Sequence, residues 1–488
     1  MNGDGGRMDG DRIEDALEVL AAVRALPLDD PVRQRVQRAV DGLVKDGQRQ
    51  RRADRRRRTA AADRAVLAGA ATAAPERADG VPVAAPPAER SAPGQTRRDR
   101  RCYACRARYR TVDARYHALC PDCADLHRRH RDARTDLTGR TAVVTGGRVK
   151  IGFQLALKLL RDGADVTVVT RFPADAARRY AAEPDAGDWR SALRVVGADL
   201  RDPRQVLDLA QRLVDRHPRL DILVNNAAQT VRRPDWAYQP LVAAEALAAR
   251  DPVGRFAVES VSGYRPGRVL PGWNAAITGP GGPGVPGPEE TGVPGADQTG
   301  VIGPDGTGVT GAAVPERTDP TGALLDPAAR NSWTARLGEI DPVELLEVQL
   351  VNVVAPFLLV DRLRAALTAP GPGRRYVVNV TGREGWFAGG GGPAGHPHTA
   401  VTKAALNMLT RVGAADLARH DVHMCGVDTG WVTDENPAPV RARRAATGWR
   451  PPLDVVDAAA RIYHPVVRGE AGSPVHGVLL KNFAVVPW

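Results

Sequence analysis

From residue 140 to the C-terminus, short apolar runs alternate with stretches of helical periodicity. Apolar strands separated by helices are typical of a parallel sheet that is covered by helices on both faces. The sequence therefore predicts an α/β domain with a doubly wound parallel sheet over residues 138–488. Strands are predicted at residues 141–145, 165–170, 193–198, 221–225, 375–380, 423–427 and 475–480, and an amphipathic helix at 343–363.

One segment interrupts this alternation. The segment at about residues 275–328 is rich in Gly and Pro, and Thr-Gly-Val occurs in it three times with a period of eight residues. Such a composition buries too little apolar surface to offset its ordering entropy. We therefore expect a disordered surface insertion, which a fold tolerates at low cost.

The N-terminal part has a different organisation. Residues 1–68 form a predicted basic helical region, with a helical hairpin over 11–46 and seven arginines between Arg49 and Arg58. Residues 69–96 are rich in Ala, Pro and Gly and predict a flexible linker. Residues 97–134 form a compact cysteine module. These 134 residues hold 29 Lys/Arg and 20 Asp/Glu, so they account for +9 of the net charge of +11.

Two interpretations of this charge stay open. It is typical of a nucleic-acid or other polyanionic partner, and equally of an arginine-rich composition with solvated faces. The chain has no run of 18 or more apolar residues and no signal-peptide pattern at its N-terminus. We therefore expect a cytoplasmic protein without a membrane span.

Four of the five cysteines have metal-binding spacing. Cys102 and Cys105 form one Cys-x-x-Cys pair, and Cys120 and Cys123 form another after 14 intervening residues. Two such pairs predict a tetrahedral zinc site, which is structural because four thiolates leave no open position. Disulfides are the alternative. The module would dock on the enzyme body or a partner protein, or it would bind nucleic acid, with Tyr103, Tyr109 and Tyr116 stacking on bases.

A glycine-rich turn follows the first predicted strand. Residues 145–152 read Thr-Gly-Gly-Arg-Val-Lys-Ile-Gly and open a predicted helix. Glycines permit a tight turn and let a pyrophosphate approach the helix N-terminus, where N–H groups favour negative charge. Because this turn lies between a predicted strand and a predicted helix, it indicates a dinucleotide-binding site.

This stretch resembles the Thr-Gly-x-x-x-Gly-x-Gly turn of the short-chain dehydrogenase/reductase family. Further matches follow in the family's order: Asp199-Leu200, Asn225-Asn226-Ala227-Ala228, Asn352, Lys403 and Thr429-Gly430-Trp431-Val432-Thr433. The resemblance implies a Rossmann-type fold and a dinucleotide held by Gly146, Arg148, Lys150, Ile151, Gly152, Arg171, Asp199, Leu200, Asn226, Ala227, Ala228, Lys403, Gly430, Val432 and Thr433.

The expected cofactor is NADP. NAD-binding proteins of this type place an acidic residue after the second strand, where it binds the ribose 2′-hydroxyl. Here Thr170-Arg171 stands at that position, and Arg148 and Lys150 add positive charge to the turn. A 2′-phosphate suits this set. NAD stays an alternative, in which Arg171 points to solvent.

The catalytic positions depart from the family. The family's Tyr, four residues before the Lys, corresponds to Thr399, and its Ser corresponds to Gly382 beside Thr381. A Thr hydroxyl is a far weaker acid than a phenol. We therefore expect His398, which titrates near neutrality, to supply the proton directly or through Thr399, with His396 and Tyr238 as weaker candidates. The alternative is that His398 is only a turn residue.

Three functions remain open from the sequence. The first is an atypical NADP-dependent oxidoreductase for a carbonyl or alcohol, with Asn352, Thr381, His398, Thr399 and Lys403 at its catalytic site. The second is a dinucleotide-binding regulatory or scaffold protein without turnover. The third is a nucleic-acid-associated protein that uses the basic zinc module. Many members of the family form homo-oligomers, but no residue pattern decides the oligomeric state here.

Overall fold

The computed structural model describes residues 10–84, 94–233, 235–248, 256–266, 318–388 and 395–488. Its strands are β1 (Gly94–Arg101), β2 (Arg108–Val112), β3 (Thr141–Thr145), β4 (Asp165–Thr170), β5 (Leu193–Gly197), β6 (Ile222–Asn225), β7 (Ala257–Ser260), β8 (Arg375–Thr381), β9 (Val422–Asp428), β10 (Leu479–Lys481) and β11 (Ala484–Val486).

The helices alternate with the strands of the C-terminal domain. They are α1 (Gly10–Arg24), α2 (Pro31–Ala68), α3 (Pro121–Arg131), α4 (Lys150–Arg161), α5 (Pro173–Ala181), α6 (Ala186–Trp189), α7 (Pro203–Arg216), α8 (Gln239–Ala248), α9 (Pro342–Gln349), α10 (Ala355–Arg362), α11 (Arg364–Thr368), α12 (Pro397–Ala418), α13 (Ala438–Ala446) and α14 (Val455–Glu470).

Within the described residues, nine strands form the central sheet in the order β11-β10-β9-β8-β6-β3-β4-β5-β7. Neighbouring strands in this sheet are parallel, except that β11 runs antiparallel to β10. One apolar core lies between the sheet and α4, α5 and α14, and a second lies between the opposite face and α7, α10 and α12. The predicted doubly wound α/β fold is confirmed.

The strand predictions agree closely where a strand is apolar. The prediction over 475–480 is too long, because β10 comprises only Leu479–Lys481. The edge strands β7 and β11 were missed because they have only four and three residues, too few to show a strand pattern.

The predicted helix over 343–363 is present as α9 and α10, joined by a π-helical turn at Leu350–Val354. Among the described helices, the segment Pro342–Arg362 alone is long and apolar enough to span a membrane, and half of its apolar window is buried in the fold. It packs against the central sheet as a core helix.

The predicted helical hairpin is formed by α1 and α2. Asp30 caps α2 through hydrogen bonds that its Oδ1 accepts from Val32 N at 2.8 Å and Arg33 N at 3.1 Å, and Pro31 occupies the first turn. The arginine-rich segment continues this helix.

Residues 69–84 correct the prediction of a flexible linker over 69–96. Ala71 N and Thr72 N donate to backbone oxygens of the cysteine module at 2.8 Å, and Arg77 donates to Pro451 O at 2.6 Å. This alanine-rich segment therefore packs on the cysteine module and the C-terminal domain and is not a flexible linker. Residues 94–96 belong to β1, and residues 85–93 lie outside the described part of the chain.

The described end of the predicted insertion is also ordered. Thr318 pairs with Leu324, and Asp319 Oδ1 accepts hydrogen bonds from Thr321 N at 3.0 Å and Ala323 N at 3.1 Å. Leu324 packs in a small apolar cluster with Phe172 and Leu241. Residues 318–328 therefore correct the predicted disorder, while the earlier part of the insertion falls outside the described residues.

The cysteine module packs on the C-terminal domain. Its β1–β2 ribbon and α3 bury Tyr116 and Leu119 against Leu453 and Ala458. Tyr109 is also buried, and its hydroxyl donates to His117 O at 3.0 Å. The predicted base stacking is therefore wrong for Tyr109 and Tyr116, whose rings form the small core of the module and its contact with the domain.

Candidate cofactor and substrate site

The turn between β3 and α4 requires its glycines. Gly146 has φ +71°, and a Cβ there would lie 2.9 Å from Ala227 Cα. A Cβ at Gly152 would overlap Gly146 O and the Asn226 side chain. This close approach lets the N-terminus of α4 face the cleft with its free N–H groups, the arrangement that binds phosphate.

Asn226 holds this turn in place. Its Nδ2 donates to Thr145 O at 2.9 Å and to Gly146 O at 3.2 Å. The Thr145 hydroxyl accepts hydrogen bonds from Asn226 N and Ala227 N, both at 3.0 Å. The ends of β3 and β6 are thereby tied together beneath the cleft.

Lys150 stands where the family has its middle Gly, and it adopts φ +54°. Its Nζ lies 3.9 Å from Glu435 Oε1. The pKa of the Glu435 carboxyl is lowered by this ammonium group. A non-glycine residue in the left-handed region is uncommon and marks functional sites.

A cleft of about 370 Å³ follows the turn along the carboxyl ends of the strands. Twelve of the predicted cofactor residues line it, namely Gly146, Arg148, Lys150, Ile151, Gly152, Arg171, Asp199, Leu200, Asn226, Ala227, Ala228 and Thr433. The remaining three, Lys403, Gly430 and Val432, line an adjoining cavity.

The cleft has a basic wall after β4. Arg171 is not directed to solvent, because its guanidinium lies 4.9 Å from the centre of the Tyr238 ring. Arg148 lies 5.6 Å from the centre of the Phe172 ring and pairs with Asp175 at 2.7 Å. Asp199, at the next strand end, pairs with Arg201 at 2.7 Å. Tyr238 therefore belongs to this end of the cleft.

A cavity of about 880 Å³ adjoins the cleft. The two spaces share Ile151, Asn226, Ala228 and Thr433 in their linings. Thr381, Thr399 and Lys403 line one side of the cavity, and the cysteine module lines another. A ligand in the cavity would therefore lie beside the end of a ligand in the cleft.

Lys403 is buried and its Nζ donates to Val380 O at 2.9 Å. Burial lowers the pKa of this ammonium group to about 8, against the opposing influence of Glu384 and Asp428. It remains mostly protonated at neutral pH, and so it is a cation available to ribose hydroxyls or to a developing oxyanion.

Thr399 lies one helical turn before Lys403 on α12. Its Oγ1 is buried and has no hydrogen-bond partner among the described residues. Its carbonyl oxygen accepts from Thr402 Oγ1 at 2.8 Å, and that hydroxyl accepts from Asn352 Nδ2 at 3.1 Å. Asn352, in the π-helical turn, also accepts from Gln229 N at 2.8 Å. Asn352 thus braces the site without lining the cavity.

Glu384 is a site residue that the sequence analysis missed. A Cβ at Gly382, the family's Ser position, would overlap Glu384 Oε2. The carboxylate therefore occupies the space of the Ser side chain and faces the cavity. The sequence signal for this role is a glutamate two residues after Gly382, the position where the family has its Ser. The Thr381 hydroxyl donates a long hydrogen bond of 3.5 Å to Lys403 O.

The structure does not bring His398 to the cavity. Its Nε2 lies 3.6 Å from Glu344 Oε1, and neither residue is part of the cavity lining. His396 does line the cavity, with its ring 4.0 Å from the Trp333 ring. Burial lowers the pKa of His396 to about 4, so this imidazole is neutral at physiological pH.

The four cysteines of the module form one cluster. Their Sγ atoms all lie within 4.8 Å of one another, and Cys105 Sγ lies 3.7 Å from Cys120 Sγ. A tetrahedral zinc ion with Zn–S bonds of about 2.3 Å places its sulfurs about 3.8 Å apart. The donor set and spacing fit such an ion. Cys102 also accepts a hydrogen bond from Cys120 N at 3.3 Å, which is typical of thiolate sites.

The strand order, the glycine-bounded turn and the cleft at the carboxyl ends of the strands define a dinucleotide-binding protein of the Rossmann type. Residues 140–245 match the short chain dehydrogenase family. Over this segment the chain is similar to the short-chain dehydrogenase/reductase family of oxidoreductases.

Relatives and solved structures extend this comparison. An uncharacterized protein of Acanthamoeba polyphaga mimivirus is 29% identical over 385 residues, which cover 75% of this chain and 71% of that protein. A Streptomyces protein named for daunorubicin C-13 ketoreduction is 37% identical over 106 residues, or 20% of this chain and 34% of its own length. A short chain dehydrogenase from Burkholderia cenocepacia in complex with NADP is 20% identical, with a TM-score of 0.42 over 71% of this chain and 97% of that chain.

Proposed function

We propose that this chain is an NADP-dependent oxidoreductase that acts on the carbonyl or alcohol group of a small molecule. One observation carries the proposal: the dinucleotide cleft adjoins a cavity that is lined by Lys403 and by Thr399, whose hydroxyl has no partner among the described residues. When bound, NADP would supply or accept the hydride at its nicotinamide ring.

The basic wall of the cleft supports NADP over NAD. No carboxylate follows β4 at the position that would bind a ribose 2′-hydroxyl. Arg171 is held there by the rings of Phe172 and Tyr238, with its guanidinium along the cleft. A planar guanidinium suits a 2′-phosphate because it donates two parallel hydrogen bonds. NAD remains the weaker alternative.

The chain's own residues would divide the work at the cavity. Lys403 would hold the nicotinamide ribose and place positive charge beside the substrate oxygen. Thr399 Oγ1 would donate a hydrogen bond to that oxygen, since it has no other partner among the described residues. Glu384 is the titratable side chain nearest to the family's Ser position and would exchange a proton with the substrate through water. We therefore no longer assign this role to His398.

The direct test measures NADPH consumption by the full chain across a panel of aldehydes and ketones, with NADH as the comparison. We expect oxidation of NADPH that depends on the carbonyl compound and falls at least tenfold in Lys403→Ala. Absence of consumption across the panel, with NADPH bound, contradicts turnover.

That outcome is what the second candidate function predicts. A regulatory or scaffold protein would bind NADPH without consuming it. Two observations favour it: Thr399 replaces the family's Tyr, and Glu384 fills the space of the Ser. Most of the cofactor residues line the cleft, whereas the substitutions fall at the proton-transfer positions.

We further propose that the four-cysteine cluster holds a structural Zn²⁺. The cation would join the two Cys-x-x-Cys pairs, which lie beside Tyr103 and α3, and so would hold these parts of the module against the C-terminal domain. Metal analysis of the purified chain should give about one zinc per chain, and Cys102→Ser should abolish it. A cytoplasmic location and a homo-oligomeric state stay proposals, tested by fractionation and by light scattering.

Nucleic-acid binding is the third candidate. The observation that favours it is a row of exposed arginines on β1 and along α2. A gel shift of labelled duplex by the full chain, weakened by salt, would support this function. Unchanged mobility at low salt contradicts it.

A further inference from the structure

The cysteine module forms part of the wall of the cavity beside Lys403. Tyr103, Arg106, Leu126 and His127 line it from the module, and the C-terminal domain contributes Thr381 and Thr399 among others. The module is held there by the Arg131 ion pairs with Asp454 and Asp457, which are buried. A segment remote in sequence thus completes the cavity.

Tyr103 is the residue of this wall with a directed polar group. Its Oη accepts a hydrogen bond from Trp431 N at 2.9 Å, next to the turn at Gly430. A Cβ at Gly430 would lie 3.3 Å from the same oxygen. The hydroxyl is therefore fixed beside the turn that the resemblance places next to the nicotinamide.

The Tyr103 hydroxyl keeps its own hydrogen for another partner. A phenol oxygen accepts and donates, and the bond from Trp431 uses an acceptor lone pair. Among the described residues, the Tyr103 hydroxyl accepts the bond from Trp431 N and donates no hydrogen bond of its own. The Tyr103 side chain is partly buried and lines the cavity, so this hydrogen is available to an acceptor atom of a ligand.

The rest of the cavity indicates the kind of ligand. Its lining is mainly apolar and includes the rings of Trp333, Trp386 and Trp431. Its volume of about 880 Å³ is in the range that holds a molecule with two or more rings. Aromatic walls with a few directed donors favour an apolar ligand that carries an oxygen acceptor.

We propose that the Tyr103 hydroxyl donates a hydrogen bond to the oxygen of an apolar, ring-bearing carbonyl compound, so that the cysteine module supplies a specificity-determining residue to the substrate site. This inference rests on the proposed function, which makes the cavity the substrate site. It gives the module a role in ligand recognition beyond its structural one.

Two probes of nearly equal shape test the proposal. Benzophenone carries a carbonyl oxygen, whereas 1,1-diphenylethylene has a CH₂ group in its place. Binding of each to the full, zinc-replete chain is measured by equilibrium dialysis without a reductant. In Tyr103→Phe we expect affinity for benzophenone to fall about fivefold to tenfold, and affinity for 1,1-diphenylethylene to stay unchanged.

Tyr109→Phe is the matched control. It removes a phenol hydroxyl from the same module, but that hydroxyl donates to His117 O outside the cavity. We expect both affinities to remain at their wild-type values and the zinc content of both variants to remain at one per chain.

Three outcomes overturn the inference: no binding of benzophenone to the wild-type chain, equal benzophenone affinity in Tyr103→Phe, or an equal loss for both probes. The last would indicate only a disturbed wall. The dialysis assay measures binding without turnover, so its result does not depend on whether the chain consumes NADPH. Failure of the ligand-binding inference and failure of the proposed oxidoreductase activity can therefore be told apart.

Discussion

Arg131 of the cysteine module forms a buried ion pair with Asp457 of the C-terminal domain, with 2.8 Å between Nη1 and Oδ1. The same guanidinium donates to Asp454 Oδ2 at 2.8 Å, and Asp457 Oδ1 accepts from the Tyr116 hydroxyl at 2.7 Å. This network joins α3 to the N-terminus of α14 and sets the module against the cavity.

Removing one member of this network should destabilise the chain. Arg131→Ala leaves buried carboxylates without their cation, and we expect a loss of about 3–5 kcal/mol in the free energy of unfolding. Chemical denaturation measures it. Arg129→Ala is the control, because its pair with Asp125 is exposed on the same helix and should cost less than about 1 kcal/mol. Similar losses in the two variants would contradict the buried network.

Removal of the metal should loosen the same region. A strong chelator should lower the midpoint of thermal unfolding and raise the rate of amide exchange in residues 97–134, because the two Cys-x-x-Cys pairs lose the ion that joins them. Cys120→Ser should reproduce both effects. Cys425→Ser is the control: this thiol is buried in the sheet core, away from the cluster, so zinc content should not change. Equal zinc in all variants would rule out the cysteine site.

Arg171 should set the choice of cofactor. Arg171→Ala removes a charged donor from the cleft, so we expect the dissociation constant for NADPH to rise about 10- to 100-fold while that for NADH changes little. Fluorescence titration measures both. Arg204→Ala, on the exposed surface of α7, should leave both constants unchanged. Parallel losses for the two cofactors would contradict contact with the 2′-phosphate.

Local patterns explain what could be predicted from the sequence. The strand runs and the glycine-bounded turn depend on neighbours in the chain, and the structure places them as expected. His398 was chosen because it adjoins Thr399, but successive residues on a helix point about 100° apart. His398 therefore faces Glu344, whereas Thr399 and Lys403, one turn apart, both reach the cavity.

Contacts between distant segments could not be predicted. Tyr103 meets Trp431 across 328 positions, and no local pattern encodes that pairing. The alanines near residue 70 have the composition of a linker, and only the packing of distant segments buries Ala70, Ala73 and Ala74. Glu384 gained its place because a glycine at 382 leaves space for it.

Lys403 should make stability depend on pH in the alkaline range. Its pKa is lowered from 10.5 to about 8 by burial, so the folded chain binds this proton less tightly than the unfolded chain. The penalty of about 3 kcal/mol for burying the cation is fully present below pH 8 and is relieved as pH rises toward 10.5.

The difference in unfolding free energy between Lys403→Met and the wild type isolates this group. We expect the advantage of Lys403→Met to shrink by about 2 kcal/mol between pH 7 and pH 10. Urea unfolding at both pH values measures it, and a constant difference would show that the ammonium group is not buried.

Gly382 and Glu384 should be coupled in stability and in function. Gly382→Ser introduces a side chain where the Glu384 carboxylate lies, so it must displace that carboxylate. We expect Gly382→Ser alone to destabilise the chain by about 1–3 kcal/mol, and the same substitution in a Glu384→Ala background to cost at least about 1 kcal/mol less. A double-mutant cycle by urea unfolding measures the coupling. Additive costs would mean that the carboxylate does not occupy the Ser space. NADPH consumption by the wild type, the two single variants and the double variant then tests the proton role of Glu384. If Glu384→Ala loses activity and the added Gly382→Ser restores it, both side chains act on the same substrate oxygen.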